Sequence, residues 1–272
     1  MQRTAQGDRV AQGDRAAQPY PQEGGRPGRR RIVRAARALG LTALTLVLVC
    51  ALAFGLLLLF TPSTGNAREL ASTFDQAHGA AYPGVAVPFR FATSLEATED
   101  HRFASEPGID PVAVARVLYS YAAGRGDQGG ATLYQQLAKM LYTPGKSGLA
   151  AEAEQIALAV KLKYSYSEPE ILRLYADVAY FGHGYYGLQD AACGYFGVQP
   201  DQLSWPQAAL LAGLVQGPSA DDPLNHPAAG LAREQHVIGR LVAIGAMSQE
   251  HASAYLSIPL GSLLSHAGGC RS

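Results

Sequence analysis

No run in these 272 residues alternates apolar and polar positions as a half-buried strand requires, which leaves helical spacing as the periodicity to read. Cysteine is scarce, with three residues, too few for a disulfide framework. No Cys or His stands at metal-ligand spacing from His183, which sits between two glycines and reads as a loop residue. Charge of neither sign dominates, with 22 basic and 22 acidic residues, and no basic excess calls for nucleic acid as a partner. The single tryptophan, Trp205, reads as packing at a helix start.

The charge balance conceals an asymmetry. Residues 1–38 carry nine Arg against three acids, a net +6, and the remainder carries 13 basic against 19 acidic residues, a net −6. Beyond that tail the run from Leu39 to Thr61, LGLTALTLVLVCALAFGLLLLFT, has no charged residue and is long enough to cross about 30 Å of hydrocarbon as a helix. Arg29, Arg30, Arg31, Arg34 and Arg37 crowd its N-terminal side, so the positive-inside rule places the tail in the cytoplasm and the C-terminal part outside. A cleaved signal peptide is the competing reading. The apolar run exceeds the roughly 7–15 residues of such a segment, and Pro62-Ser63-Thr64-Gly65 offers no clean small-x-small site. The expectation is a single-pass, uncleaved anchor in the cell membrane.

The first 28 residues hold a tandem hexad, Ala-Gln-Gly-Asp-Arg-Val then Ala-Gln-Gly-Asp-Arg-Ala, followed by a segment rich in Pro, Gly and Arg. That composition reads as a disordered, solubilising tail. Cys50 lies in the span, whereas Cys193 and Cys270 fall on the oxidising side. A disulfide between those two would tie the chain's end back to the domain, with two free thiols as the alternative.

After the span, residues 62–88 are rich in small side chains and read as a stalk with one short helix at Arg68 to Ala77. From Phe89 the pattern is helical. Pro111 follows Asp110, a good cap, and opens a run to Tyr119. Apolar positions at helical spacing recur in Thr132 to Leu141, Glu152 to Tyr164, Glu168 to Phe181, Trp205 to Val215 and Gly230 to Ile244. Residues 89–244 are thus expected to form one mainly α-helical domain, with 245–272 as a C-terminal tail.

Two short patterns carry chemistry. Glu99-Asp100-His101-Arg102-Phe103 places a carboxylate pair at the end of a helix, facing a cleft, where a carboxylate partly removed from water can take a proton from a sugar hydroxyl. Taken alone, a Glu-Asp pair is more simply a solvated acidic pair. Gln128-Gly129-Gly130-Ala131-Thr132 gives a flexible backbone entering a helix whose first amides favour an anion. Lys139 follows Thr132 by seven residues, two turns, and points from the same face. Gln135-Gln136, set in an otherwise apolar face, need partners if buried.

These residues resemble glycosyltransferase family 51, which forms the transglycosylase domain of penicillin-binding proteins and the monofunctional peptidoglycan glycosyltransferases. The first motif, Glu-Asp-x-x-Phe-x-x-His-x-Gly, is met at Glu99, Asp100, Phe103 and Gly108. The second is met at Gln128, Gly129, Gly130, Thr132, Gln135, Gln136 and Lys139. The fourth is similar to Tyr175, Tyr180, Phe181, Gly182, Gly187, Ala191 and Ala192, and the fifth to Leu211-Ala212-Gly213 with Pro218-Ser219. The departures fall on polar positions: Glu106 for His, Ala131 for Ser, Asp177 for Asn and Gln207 for Glu. An ungapped reading places the third motif, Arg-Lys-x-x-Glu, at Ala151, Glu152 and Gln155, without its basic pair or its Glu.

The resemblance implies a lysozyme-like α-helical glycosyltransferase domain, with a part that dips into the membrane, behind the N-terminal transmembrane helix. It implies polymerisation of lipid II into glycan strands by β-1,4 transfer, releasing polyprenyl pyrophosphate. Glu99 would be the general base, with Asp100 beside it. Phe103, Arg116, Gln128, Gly129, Gly130, Thr132, Gln135, Gln136, Lys139, Lys146, Glu154 and Gln155 would bind substrate, with Glu154 or Glu152 standing in for the missing third-motif Glu and Arg125 as a further cation for the pyrophosphate. No cofactor is required, and a divalent cation, Mg or Mn, is compatible with the chemistry. Lipid II, the growing glycan, the membrane and other wall-building proteins are the partners implied. No Ser-x-x-Lys follows the fifth motif, so no transpeptidase is expected in the chain. The altered positions keep a second reading open, a family member that binds lipid II or wall-building partners without turnover. A lysozyme-like muramidase is a minor third.

Overall fold

The computed structural model describes residues 27–103, 105, 131–264 and 270. Two compact units divide the chain, residues 1–51 and 52–272. Helix α1, Pro27–Phe60, opens with Pro at its first position, where the missing amide costs nothing, and Pro62 follows its end. Its 34 residues extend the expected span backwards through the arginines, which are good helix formers. Ile32–Phe60 is long and apolar enough to cross a membrane.

The other described elements are helical as well, and no β-strand occurs among the described residues. Helix α2 covers Ala67–His78, α3 Phe89–Glu99, α4 Leu133–Tyr142, α5 Leu149–Ser165 and α6 Glu168–Val178. Helix α7 follows at Leu188–Phe196, then a 3-10 turn at Pro200–Gln202, α8 Trp205–Leu214, α9 Pro227–Ala243, α10 Gln249–Leu256 and α11 Leu260–Leu263. Helix α8 is apolar all round beyond its first turn, and Ala208 to Leu214 are buried without interruption, as befits a helix at the centre of a core. Helix α9 lays Gly230, Glu234, Val237, Ile238 and Leu241, one face at helical spacing, into that core. A Cβ on Gly213 would come within 3.0 Å of Arg233 Cβ on α9, so the glycine sets how closely α8 and α9 approach.

Three expectations need correcting. The segment read as a stalk is part of the domain: Ala67, Ala71 and Asp75, four apart on α2, are fully buried. The Tyr142 and Tyr166 hydroxyls donate to the Thr64 carbonyl at 3.1 and 2.8 Å, and the Lys161 ammonium donates to the Thr61 and Pro62 carbonyls. Small residues suggested a linker, yet they are what lets α2 pack closely. Residues 245–272 are not a simple tail either, since Met247, Ala252 on α10 and Leu260 on α11 are buried, and Cys270 is joined to Cys193 with Cα atoms 4.8 Å apart. The helix expected to run to Phe181 ends at Val178, because Tyr180 leaves to bridge Tyr186. The helix expected from Pro111 lies outside the described residues.

Candidate active site

The end of α3 and the start of α4 are fastened together residue by residue. Glu99 is the last residue of α3, and Gln136 Nε2 donates to Glu99 Oε2 at 2.9 Å and to the Ala131 carbonyl at 3.3 Å. Asp100 Oδ2 accepts the Leu133 amide at 3.1 Å, and Phe103 stacks on Tyr134 with ring centroids 4.9 Å apart. Thr132 caps α4 by accepting the Gln135 amide through its hydroxyl. A capping oxygen, a buried carboxylate and a buried aromatic pair thus define the angle at which α4 leaves.

The outcome is a cleft of about 810 Å³ whose walls include Glu99, Gln135, Gln136, Lys139, Lys146, Glu152 and Gln155, together with Tyr175, Tyr180, Val215, Gln216 and Pro218. Its volume suits a substrate larger than a single sugar. Burial raises the Glu99 carboxyl above its ordinary range, and Asp100 adds to this, while the Gln136 hydrogen bond and Arg233 act in the opposite sense. A carboxylate shifted that way and open to a cleft is suited to take a proton. Lys139 is exposed on the cleft wall and has no partner among the described residues. Lys146 pairs with Glu154 at 3.0 Å.

Several residues expected to touch substrate do other work. Asp100, Phe103 and Thr132 are buried and do not line the cleft; they hold the two motifs together. Glu154 does not line it either, since it neutralises Lys146, and Glu152 is the acid of that helix that faces the cleft. Arg116, Arg125, Gln128, Gly129, Gly130 and Glu106 lie outside the described residues. Tyr175 and Tyr180 were not singled out as site residues. Their place in the fourth motif was the available signal, because nothing local marks Tyr175 as donating to the Gln136 amide beside Glu99.

A transglycosylase family model matches residues 67–242, well over half of the chain. The chain belongs to the transglycosylase family. It is similar to penicillin-binding protein 1A of Aquifex aeolicus, 34% identical over 235 residues, which are 78% of this chain and 32% of that protein. A Cupriavidus necator protein provisionally named a transglycosylase is 31% identical over 174 residues, 64% of this chain and 75% of the relative. The crystal structure of penicillin-binding protein 1A from Haemophilus influenzae matches with a TM-score of 0.34 and 25% identity over 50% of this chain and 17% of that one. The chain spans about a third of the length of its Aquifex relative.

Within the transglycosylase domain the departures from the family pattern have structural roles. Gln207 completes a capping box with Ser204 at the start of α8, which glutamine performs as well as glutamate. Ala131 presents its carbonyl to Gln136. Asp177 is buried, which pushes its carboxyl up to about 6, and it is steadied by the Gly84 amide. A Cβ on Gly84 would sit 2.1 Å from Asp177 Oδ1, so glycine is required there. Gln155 is buried and donates to Thr143 Oγ1 at 3.0 Å, a neutral brace beside the cleft. Ala151 is buried, so the position where the family pattern has Arg faces the core here. Among the described residues no group of three His, Cys, Asp or Glu is arranged to hold a metal ion.

Proposed function

We propose that this transglycosylase polymerises lipid II, with Glu99 as the general base. The observation that carries the reading is the placement of Glu99 in the cleft wall together with Lys139 and Lys146. The acceptor sugar's hydroxyl gives its proton to the Glu99 carboxylate as its oxygen attacks the anomeric carbon of the donor. The bond from that carbon to the pyrophosphate breaks on the opposite side, inverting the centre to a β-1,4 link. The departing polyprenyl pyrophosphate keeps the bonding electrons, and its charge is met by Lys139 first and by Lys146 where Glu154 releases it. Pyrophosphate is a good leaving group, so no second carboxylic acid has to protonate it, in contrast to glycoside hydrolysis.

The reading needs no organic cofactor. A divalent cation, Mg or Mn, would if present meet the substrate's pyrophosphate, with no ligand cluster among the described residues to hold it. Helix α1 is read as a single-pass anchor with its arginine-rich end in the cytoplasm and the cleft outside, which brings a lipid-linked substrate to the site at the bilayer surface. Other wall-building proteins are natural neighbours there.

The test is polymerisation of labelled lipid II by the full-length protein, with products resolved by length, beside Glu99→Gln. Polymer from the wild type and a loss of about 100-fold or more in the variant is the expected result. Saturable binding of lipid II without polymer would overturn the catalytic reading in favour of a binding protein, and digestion of cell wall would favour a muramidase.

A further inference from the structure

Gln136 has no amide hydrogen left for a substrate. One of its two N–H groups is donated to Glu99 Oε2 at 2.9 Å and the other to the Ala131 carbonyl at 3.3 Å, while its Oε1 accepts the Tyr175 hydroxyl at 2.9 Å. A side-chain amide can face either way in a pocket, and only its partners decide which end points where. Here the decision is made at both ends: a carbonyl can only accept, and Tyr175 occupies the oxygen. Tyr175 is itself buried, and burial pushes its hydroxyl far above the ordinary range, so it remains a donor at any working pH.

We infer that Tyr175 and Gln136 are positioning residues for the general base: Tyr175 fixes the Gln136 amide, and the amide anchors Glu99 Oε2, leaving Oε1 as the atom that takes the proton. The inference rests on Glu99 acting as the base of the proposed reaction. It reassigns Gln136 from substrate contact to base support. Gln135 is the contrasting neighbour, half-buried in the cleft wall with no side-chain partner among the described residues, and it is free to meet substrate.

Removing the Tyr175 hydroxyl leaves Gln136 Oε1 without its donor and only the Ala131 carbonyl, at 3.3 Å, to hold the amide's direction, so the amide turns its oxygen to Glu99 more often. A carboxylate facing an amide oxygen is disfavoured, whereas the protonated acid can donate to it, so Glu99 holds its proton to higher pH. The full-length protein carrying Tyr175→Phe is therefore expected to lose about tenfold in kcat near neutral pH with KM for lipid II within about twofold of wild type. The acid limb of its kcat profile moves to higher pH. Gln136→Met, which keeps length and loses the amide, behaves alike, and Gln135→Ala raises KM with kcat nearly unchanged. Melting temperatures are measured for each variant. A loss in KM with an unmoved acid limb, or a rate loss that merely follows the melting temperature, would overturn the inference. Carbon-13 titration of labelled Glu carboxyls, assigned with Glu99→Gln, gives a readout independent of turnover. The Glu99 midpoint is expected at higher pH in Tyr175→Phe, and an unmoved midpoint ends the inference even in a protein that does not polymerise. Wild-type turnover retained by Glu99→Gln would instead remove the proposed base and leave the titration to judge the relay.

Discussion

Asp100 Oδ2 lies 3.1 Å from the Leu133 amide, joining the last turn of α3 to the first turn of α4 although 33 residues separate them. The contact offers a charged acceptor to one of the helix-start amides that have no intrahelical partner, and it lies within the positive end of the helix dipole. Asp100→Ala is expected to destabilise the protein by about 1–3 kcal/mol. Asp100→Asn, which keeps an acceptor, should cost about half as much. In both variants polymerisation should fall in step with the folded fraction, whereas Glu99→Gln should abolish it in a protein that melts normally. Urea melts beside initial rates separate the two neighbours.

That contact also marks how far the sequence could be read. Helices with strong apolar spacing were legible, and so were the residues that face the cleft from α4, because Gln135, Gln136 and Lys139 share one face at spacings of three and four. The division of labour inside the first motif was not legible. Glu99 and Asp100 are adjacent and chemically alike, but the helix ends between them, and Asp100, with φ −156° and ψ 73°, turns inward while Glu99 stays on the wall. Helix α2 was legible at Arg68 to Ala77, but its burial in the domain was hidden for a different reason. Its buried positions are Ala67, Ala71 and Asp75, none of which registers as an apolar stripe.

Asp75 yields a pH prediction of its own. Both its carboxylate oxygens are buried without a hydrogen-bond partner, and burial, with Asp177 and Asp190 nearby, raises its carboxyl from 3.8 to about 7. The native state therefore holds this proton more tightly than the unfolded chain does. Stability associated with Asp75 is fully present below about pH 4 and is lost as pH rises toward 7. Asp75→Asn removes the titration. It is expected to match wild type near pH 4 and to be more stable by about 2–4 kcal/mol at pH 8, read from denaturant midpoints across that range. A stability difference independent of pH would show that Asp75 is not the titrating group.

The Cys193–Cys270 bond closes a loop of 77 residues in sequence separation and holds the chain end to α7, away from the cleft residues. Such a closure restricts the unfolded chain and is worth about 2–4 kcal/mol. Cys193→Ser, or reduction of the wild type, should lower the melting temperature and loosen α10 and α11 in hydrogen exchange. Initial polymerisation rates at 25 °C should stay within about twofold, since neither cysteine lines the cleft. A large rate loss without a change in melting temperature would place the C-terminal segment in the catalytic cycle.

Lys139 and Lys146 line the same cleft but are not equivalent cations. Lys146 is held at 3.0 Å by Glu154, which offsets its charge, and Lys139 has no partner among the described residues. Charge that develops on a leaving pyrophosphate is stabilised best by a cation that is already in place and not shared. Lys139→Ala is therefore expected to cut kcat/KM by about 100-fold, and Lys146→Ala by about tenfold or less. Glu154→Gln gives the decisive comparison, because it releases Lys146 without altering Lys139. Turnover in that variant should equal or exceed wild type, and in the Lys139→Ala background it should recover part of the lost rate. If Glu154→Gln instead slowed the reaction as much as Lys139→Ala, the ion pair itself would have to be what shapes the site, with Lys146 ordered by Glu154 before it meets the phosphate.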